Sequence, residues 1–194
     1  MTTQTLAETH TAAHAVSFPI AAPLPLANPD TVRAIQASLR EAGEGVRAHF
    51  GAETHLVKGY ETAVNIRNFV DIVDEPHALG GTDLGPNPAE LVLAALGACQ
   101  EIVYSTYATL LNIPIERLHI EVSGDLDPRG FFGVADVPAG FESVLYEVYL
   151  DSPSSAEHVR ELVRIVNQHC PVLDILQRAL PVQGRVELNG HALE

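Results

Sequence analysis

The two cysteines are the residues of this chain best suited to chemistry. Cys99 lies deep inside an apolar stretch of helical character, and Cys170 begins the string Cys170-Pro171-Val172. A cysteine thiolate attacks peroxides, and a second thiol converts the resulting sulfenic acid to a disulfide. The pair therefore indicates thiol redox chemistry, provided that the fold brings the two sulfur atoms together. The alternative is that they are small buried hydrophobic residues, which is how free cysteines usually behave.

A reactive Cys99 needs a source of positive charge from outside its own helix. The residue is expected several turns beyond a helix start at Asn87, whereas the favourable field of a helix N-terminus acts only in the first turn. A cation near the sulfur is another common way of stabilising a thiolate. An arginine from another part of the fold, or from a second subunit, is therefore required if the thiol reacts.

Composition narrows the classes of fold and partner. The chain has 194 residues, of which 46% are hydrophobic, and this predicts one globular domain with room for an extra arm. Its formal net charge of −14 argues against binding to nucleic acid, which requires clustered Lys and Arg. The same charge argues against docking on an anionic membrane surface.

No secretory leader and no membrane-spanning segment are expected. The N-terminal region lacks a basic stretch followed by a long apolar run. The most apolar run, Leu91–Cys99, is shorter than the roughly 20 residues that cross a bilayer. A cytoplasmic location follows as the default expectation, and there two cysteines are more often free or catalytic than joined in a permanent disulfide.

The clearest local signal is the start of a long helix. Asn87 is a favourable N-cap, Pro88 suits the first helical position, and Glu90 stands where a capping box requires it. We predict that this helix runs to about Leu111. Because it is apolar on most sides, it should be central and buried.

The remaining pattern predicts an α+β fold. Residues 1–29 have the composition of a flexible or draped arm, and Asp30 is expected to cap a helix over residues 31–42. We expect residues 1–45 to form an N-terminal arm with this short helix, and residues 46–194 to form the domain. The other predicted elements are two or three antiparallel strands within 46–73, strands over 115–126, 142–150 and 182–188, and helices over 152–169 and 172–179.

Four motifs of the chain together resemble the OsmC/Ohr family (osmotically inducible protein C and organic hydroperoxide resistance proteins). They are Gly80–Asp83, Pro86–Leu91, Leu93–Cys99 and Cys170–Val172. With the order of strands and helices, the resemblance covers about residues 46–190. Each motif alone is weakly specific, and their combination carries the resemblance.

The resemblance implies an OsmC-like fold, in which an antiparallel sheet surrounds a long buried central helix and a second helix. It implies an intertwined homodimer with two sites at the interface, a peroxidatic Cys99 and a resolving Cys170. Proteins of this kind reduce organic hydroperoxides or hydrogen peroxide under oxidative stress, without a metal or a bound organic cofactor. Their better-studied members take electrons from a dithiol such as a lipoylated protein.

Arg67 is the candidate for the activating cation. It precedes the Gly-rich loop, where the activating arginine of the family broadly falls, and it stands in a strand-like segment over residues 65–69. On such a strand it would point away from the face that carries Ile66 and Val70, which leaves it available to a site or to solvent. Arg47 is the reserve candidate.

One position departs from the peroxidases of the Ohr branch. Those proteins have a glutamate directly after the helix-opening proline, where it orients the activating arginine, whereas this chain has Ala89 followed by Glu90. Glu90 lies roughly 180° around the helix from Cys99, so we expect a capping role for it rather than a catalytic one. The departure leaves a second function open: a non-enzymatic dimer that binds an apolar or electrophilic ligand, with structural or sensory cysteines.

Other chemistries have less support in the sequence. His169 adjoins Cys170, but no paired His or Cys spacing accompanies it, so no metal site is expected. The loop Gly80–Pro86 lacks the Lys-Ser/Thr ending of a P-loop and is expected to be a turn that leads into the long helix. No Gly-x-Ser-x-Gly string supports serine hydrolysis.

Overall fold

A computed structural model describes residues 23–193 of the chain, and helices and strands alternate in groups along them. The helices are α1 (Pro29–Ala42), α2 (Pro88–Leu111), α3 (Pro128–Phe131), α4 (Ala156–His169) and α5 (Pro171–Gln177). The strands are β1 (Glu53–Lys58), β2 (Glu61–Ile66), β3 (Phe69–Val73), β4 (Arg117–Leu126), β5 (Phe141–Asp151), β6 (Val186–Leu188) and β7 (His191–Leu193). The predicted α+β class is confirmed.

All strand pairs are antiparallel. β1, β2 and β3 form one sheet in that order, β4 pairs with β5, and β6 pairs with β7. The β4–β5 ladder is long and alternates between half-buried and exposed residues, so one face packs inward and the other meets solvent. The predicted strand over 182–188 is shorter than expected, and it is the first half of a hairpin whose second strand, β7, was not predicted.

Helix α2 is the centre of the fold. Its N-terminus has the predicted capping box, in which the Asn87 side chain accepts from the Glu90 amide and the Glu90 carboxylate accepts from the Asn87 amide, each at 2.8 Å. Asn112 ends the helix in the left-handed region at φ 53°, a conformation that asparagine tolerates better than most residues. α2 packs on α4, α5 and β4. Gly97 is buried where α2 faces β4, and a Cβ there would lie in ordinary contact with Val122, at 3.4 Å.

The core lies between α2, the α4–α5 pair and the inner face of β4–β5. Its largest fully buried side chains from α2 and α4 include Leu96, Tyr104, Leu162 and Val166. Burial of side chains of this size contributes about 1.5–3 kcal/mol each to stability. The two cysteines join this cluster, Cys170 as a buried member and Cys99 from its edge.

By length and hydropathy alone, α2 could cross a membrane, although the sequence suggested no such segment. In the fold, α2 packs on α4, α5 and β4, but another of its faces is exposed, so the predicted burial of the helix is only partial within one chain. A core helix of a folded domain meets the same criteria of length and hydropathy, so this property is weak evidence for a membrane span.

The β1–β3 sheet leaves large apolar side chains in solvent within one chain. Leu56 is 72% exposed and Val70 is 67% exposed. The sequence predicted that Arg67 lies in a strand, and this prediction is wrong. The chain reverses at Arg67 and Asn68, and Ile66 pairs with Phe69 across the turn. Arg67 has a φ of 57°, and its guanidinium carbon lies 5.3 Å from the Phe69 ring centroid, within the range of a cation–π contact.

The segment that precedes α1 lies along α2. The Ala27 amide donates to Ser105 Oγ at 2.9 Å, and the Ala27 carbonyl accepts from Thr109 Oγ1 at 2.8 Å. The Leu24 amide donates to the carbonyl of Ile115 at 2.7 Å. We call residues 24–27 the N-terminal strap. The strap belongs to the predicted arm of residues 1–45, whose first 22 residues lie outside the described part of the chain.

Helix α1 starts earlier than predicted. Its N-cap is Asn28 rather than Asp30, because the Asn28 side chain accepts from the amides of Asp30 and Thr31, and Pro29 takes the first helical position. Its apolar residues Ile35 and Leu39 are 54% and 50% exposed. α1 also contacts α2, so the strap and α1 together cover part of the central helix.

Candidate active site

The structure brings the two cysteines into contact. The Cys170 thiol donates to Cys99 Sγ, and the two sulfur atoms are 3.3 Å apart. A disulfide has an S–S distance of roughly 2.0 Å, so bond formation requires a shift of little more than an ångström. Cys99 is half-buried and Cys170 is 1% exposed, which makes Cys99 the thiol that a substrate can reach first.

Proline 171 explains why Cys170 stands where it does. A residue that precedes proline is pushed out of the helical region, and Cys170 has φ −80° and ψ 110° between α4 and α5. Pro171 then fits the first position of α5, where no amide hydrogen is needed. The resulting break ends α4 and directs the Cys170 side chain onto α2, and it confirms the predicted restart of the helix after Pro171.

The two thiols have different surroundings. Burial is the main cause that raises the pKa of Cys170, and the neighbouring Cys99 adds to the rise. The amides of Leu173 and Val172 at the start of α5 act in the opposite direction and are outweighed. Cys170 therefore remains a protonated donor at neutral pH, which suits a thiol that waits for Cys99 to be oxidised.

Within residues 23–193, no cationic side chain is among the groups that shift the pKa of Cys170. Five arginines form ion pairs with carboxylates of the same chain, namely Arg33, Arg117, Arg129, Arg164 and Arg178. Arg67 stands at the tip of the β2–β3 hairpin, in a sheet that has few contacts with the helices of the same chain. Its predicted role, and that of the reserve candidate Arg47, therefore depends on a second subunit and stays a prediction.

His169 has structural contacts on the protein. Its Nδ1 lies 2.8 Å from the Ile165 carbonyl one turn earlier in α4, and its ring packs on Tyr107 of α2 at a centroid distance of 4.9 Å. This contact braces the end of α4 against α2 beside the cysteine pair. Among the described residues, no group of three His, Cys, Asp or Glu side chains is arranged to hold a metal ion.

The Gly-rich loop before α2 wraps around a carboxylate of the same chain. Asp74 is buried, and its Oδ2 accepts from the Thr82 hydroxyl at 2.6 Å, the Thr82 amide at 3.0 Å and the Leu84 amide at 3.3 Å. These bonds hold the pKa of Asp74 below its ordinary value, with the Thr82 hydroxyl as the largest cause. The predicted role of the loop, a turn that leads into the helix, is confirmed.

Two glycines of this loop have no room for a side chain. A Cβ on Gly81 would overlap the carbonyl of Glu75, and one on Gly85 would overlap the carbonyl of Ile72. The sequence pattern Asp74-Glu75-Pro76 predicts the end of a strand, and the role of Asp74 in the loop was not predicted. The signal was present, because a loop rich in glycine offers several free amides that need an acceptor.

A groove of 820 Å³ lies between α2 and β4, on the side of α2 away from Cys99. Ala89 and Glu90 both line it, together with small and apolar residues such as Ala94, Gly97 and Val122. Because Glu90 is engaged in the capping box, it has the structural role that helix geometry predicted. The groove is thus a surface distinct from the cysteine pair.

Gln100 is a buried polar residue that the sequence analysis did not single out. It follows Cys99 on α2 and is 0% exposed. The signal was a glutamine at core spacing between Leu96 and Tyr104 in a helix that is otherwise apolar on this face.

Comparison with known protein families gives one match. The family described as OsmC-like protein matches residues 81–184, which is more than half of the chain. The matched region contains Cys99, Cys170, helix α2 and the Gly-rich loop from Gly81 onward. No curated protein sequence matches the chain.

Several solved structures share the fold. An OsmC-like protein from Mycoplasma pneumoniae is 20% identical, with a TM-score of 0.59, and the match covers 68% of this chain and 89% of that one. An organic hydroperoxide resistance protein OsmC from Legionella pneumophila is 19% identical, with a TM-score of 0.52 and coverages of 69% and 92%. An OsmC-like protein of unknown function from Vibrio cholerae is 11% identical, with a TM-score of 0.52 and coverages of 66% and 93%. Identities this low establish the shared fold alone.

Proposed function

Because the chain belongs to the OsmC-like protein family, we propose that it is a thiol-dependent peroxidase that acts on organic hydroperoxides, with hydrogen peroxide as a further candidate substrate. The observation that carries the proposal is the contact between Cys99 and Cys170, whose sulfurs are 3.3 Å apart. One of the solved relatives, from Legionella pneumophila, is an organic hydroperoxide resistance protein. That name supports the proposed class of substrate.

The reaction follows from the positions of the two thiols. The Cys99 thiolate attacks one oxygen of the hydroperoxide, the O–O bond breaks, and the departing alkoxide takes a proton to become an alcohol. Cys99 is then a sulfenic acid. Cys170, already in contact, attacks that sulfur, so a disulfide forms and water leaves. An external thiol or dithiol, for example a lipoylated protein, returns the disulfide to two thiols and is itself oxidised.

The proposal includes a homodimer. On α2, Leu91, Ala95, Ala98 and Ile102 recur at helical spacing, and all four are exposed, Ile102 by 66%. This face and the β1–β3 sheet both leave large apolar side chains in solvent, which is typical of surfaces that contact another protein chain. A second copy would cover both surfaces, and its Arg67 or Arg47 would supply a cation to Cys99.

A cytoplasmic location is part of the same proposal. A reducing compartment keeps Cys99 and Cys170 as thiols between turnovers and supplies the electrons that the cycle consumes. No cofactor or metal has a step in this reaction, because sulfur alone accepts the oxygen atom.

The test counts thiols. Reduced protein is mixed with cumene hydroperoxide or with hydrogen peroxide, and free thiols are titrated before and after. We expect the loss of two thiols per chain, the loss of none with Cys99→Ser, and a sulfenic acid trapped by dimedone with Cys170→Ser. Thiols that survive an excess of both peroxides would contradict the proposal. Analytical ultracentrifugation of the same sample tests the dimer.

One observation favours a second function. No cationic side chain of residues 23–193 is among the groups that shift the pKa of Cys170, and Ala89 stands where the Ohr branch has its supporting glutamate. A non-enzymatic dimer that binds an apolar or electrophilic ligand needs neither group. The apolar groove of 820 Å³ along α2 would suit such a ligand. A ligand that protects the protein against unfolding, together with thiols that peroxide does not oxidise, would select this alternative.

A further inference from the structure

Two neighbouring polar side chains on the core face of α2 are buried without a hydrogen-bonding partner. Gln100 and Tyr104 are one helical turn apart, and each is 0% exposed. Among the residues that the structure describes, none pairs with the amide oxygen or nitrogen of Gln100 or with the hydroxyl of Tyr104. In native proteins the great majority of such buried atoms are satisfied by protein or by ordered water. This pair therefore points to a bound polar molecule.

The surroundings of this pair are mainly apolar, and Tyr146, a polar neighbour of Tyr104, is uncharged. Tyr146 of β5 lies near enough to Tyr104 to affect its ionisation, and burial, as the main cause, raises the pKa of Tyr104 to about 12. The Tyr104 hydroxyl therefore keeps its proton at any physiological pH. The Tyr146 hydroxyl donates to Asn167 Oδ1 of α4 at 3.2 Å. Tyr146 is thus a polar neighbour of Tyr104 that already has a partner on α4.

We propose that Gln100 and Tyr104 form a binding site for an internal water molecule. The amide of Gln100 presents both a donor and an acceptor, and water is the small molecule that satisfies both. Internal waters make about three hydrogen bonds, and the Gln100 oxygen, the Gln100 nitrogen and the Tyr104 hydroxyl offer three. An ion fits poorly, because none of these groups carries a charge to compensate it.

The site has a consequence for the neighbouring cysteine. Gln100 directly follows Cys99, so a water that holds the Gln100 side chain also fixes the rotation of α2 at that point. The position of Cys99 Sγ relative to Cys170 depends on this rotation. Gln100 is therefore a positioning residue for the cysteine pair, and this role does not depend on whether the protein reduces peroxides.

Relaxation dispersion of oxygen-17 water signals counts waters with long residence in the protein. Gln100→Leu removes the amide at similar volume, and Tyr104→Phe removes only the hydroxyl. We expect each variant to lose the same water, so that the double variant loses no more than either single one. Tyr149→Phe, which removes a hydroxyl from the exposed face of β5, should lose none. An unchanged count in both single variants would overturn the proposed site.

Two further measurements test the site if Gln100→Leu folds poorly. Tyr104→Phe changes a single atom, and a urea midpoint that rises with this variant would show that the hydroxyl was unpaired and would refute the site. The positioning role is tested by equilibrating each variant with a glutathione redox buffer. We expect the Cys99–Cys170 disulfide to form less readily in the Gln100 and Tyr104 variants than in Tyr149→Phe. An equal equilibrium constant in all of them would contradict the positioning role.

Discussion

The Cys170 thiol donates to the sulfur of Cys99 across 3.3 Å, and the two residues differ sharply in access to solvent. Cys99 is half-buried on α2, whereas Cys170 is enclosed where α4 ends and α5 begins. The geometry thus assigns an order to the two thiols: reagents from solvent meet Cys99 first, and Cys170 acts on what Cys99 becomes.

The first prediction follows from this order. Iodoacetamide at limiting concentration and neutral pH should label Cys99 before Cys170, because burial both shields Cys170 and raises its pKa. Peptide mass spectrometry at successive times measures the two rates, and we expect Cys99 to be labelled at least about tenfold faster, because the thiolate is the form that is alkylated and access to Cys170 is blocked. Equal labelling in folded protein, with equal labelling in urea as the reference, would contradict the assigned order.

The second prediction concerns Arg67. If the partner subunit's Arg67 stabilises the Cys99 thiolate, Arg67→Ala should slow oxidation by cumene hydroperoxide by roughly tenfold or more. Stopped-flow thiol loss measures the rate, and the pH–rate profile of alkylation should shift as well. Arg160→Ala on the exposed side of α4 is the matched control and should leave both unchanged. If Arg67→Ala keeps the parent profile, Arg47→Ala is the next variant to measure.

The third prediction concerns acid stability. The pKa of Asp74 is lower in the folded protein than its ordinary value of about 3.9, mainly because of the Thr82 hydroxyl. The carboxylate therefore stabilises the fold fully above that ordinary value, and this stabilisation is lost as pH falls through the lower folded value. Urea midpoints should separate parent and Asp74→Asn at pH 7, and the gap should close below about pH 4. Asp71→Asn, on an exposed residue, should show no gap at either pH.

The fourth prediction concerns the N-terminal strap. Ser105→Ala should remove the acceptor of the Ala27 amide, and Thr109→Val should remove the donor to its carbonyl. A hydrogen bond contributes about 1 kcal/mol, so protection of the Ala27 amide against hydrogen exchange should fall roughly fivefold with Ser105→Ala. The control is Thr106→Val, because the Thr106 hydroxyl bonds only the Ile102 carbonyl of its own helix. Unchanged protection with Ser105→Ala would mean that the strap is held by its leucines alone.

Local rules explain how much of this fold could be predicted. The capping box at Asn87 and Glu90 and the proline at position 171 are signals whose geometry is set within a few residues, and both elements form where expected. The same signal, an asparagine followed by a proline, occurs at Asn28 and Pro29. It marks the observed start of α1, whereas the predicted N-cap was Asp30. Short-range chemistry therefore carries much of the information about where helices start.

The errors and omissions lie where tertiary contacts decide. Arg67 has a strand-like neighbourhood in sequence, but the pairing of Ile66 with Phe69 forces the chain to reverse there. The contact of Cys99 with Cys170 depends on how α2 packs against the α4–α5 junction, so the sequence could indicate only a plausible pair. Asp74 and Gln100 owe their importance to burial, which the local patterns around them indicate but do not establish.

The contacts of the N-terminal strap show that the part of the chain that folds as a unit is longer than the part that matches the family. The family match spans residues 81–184, yet Ser105 and Thr109 inside that span bond to Ala27 outside it, and Leu24 packs on the same core. A fragment cut at the family boundary would lose these bonds and uncover apolar surface on α2. We expect such a fragment to aggregate, because the cooperative unit includes the strap from residue 24 onward.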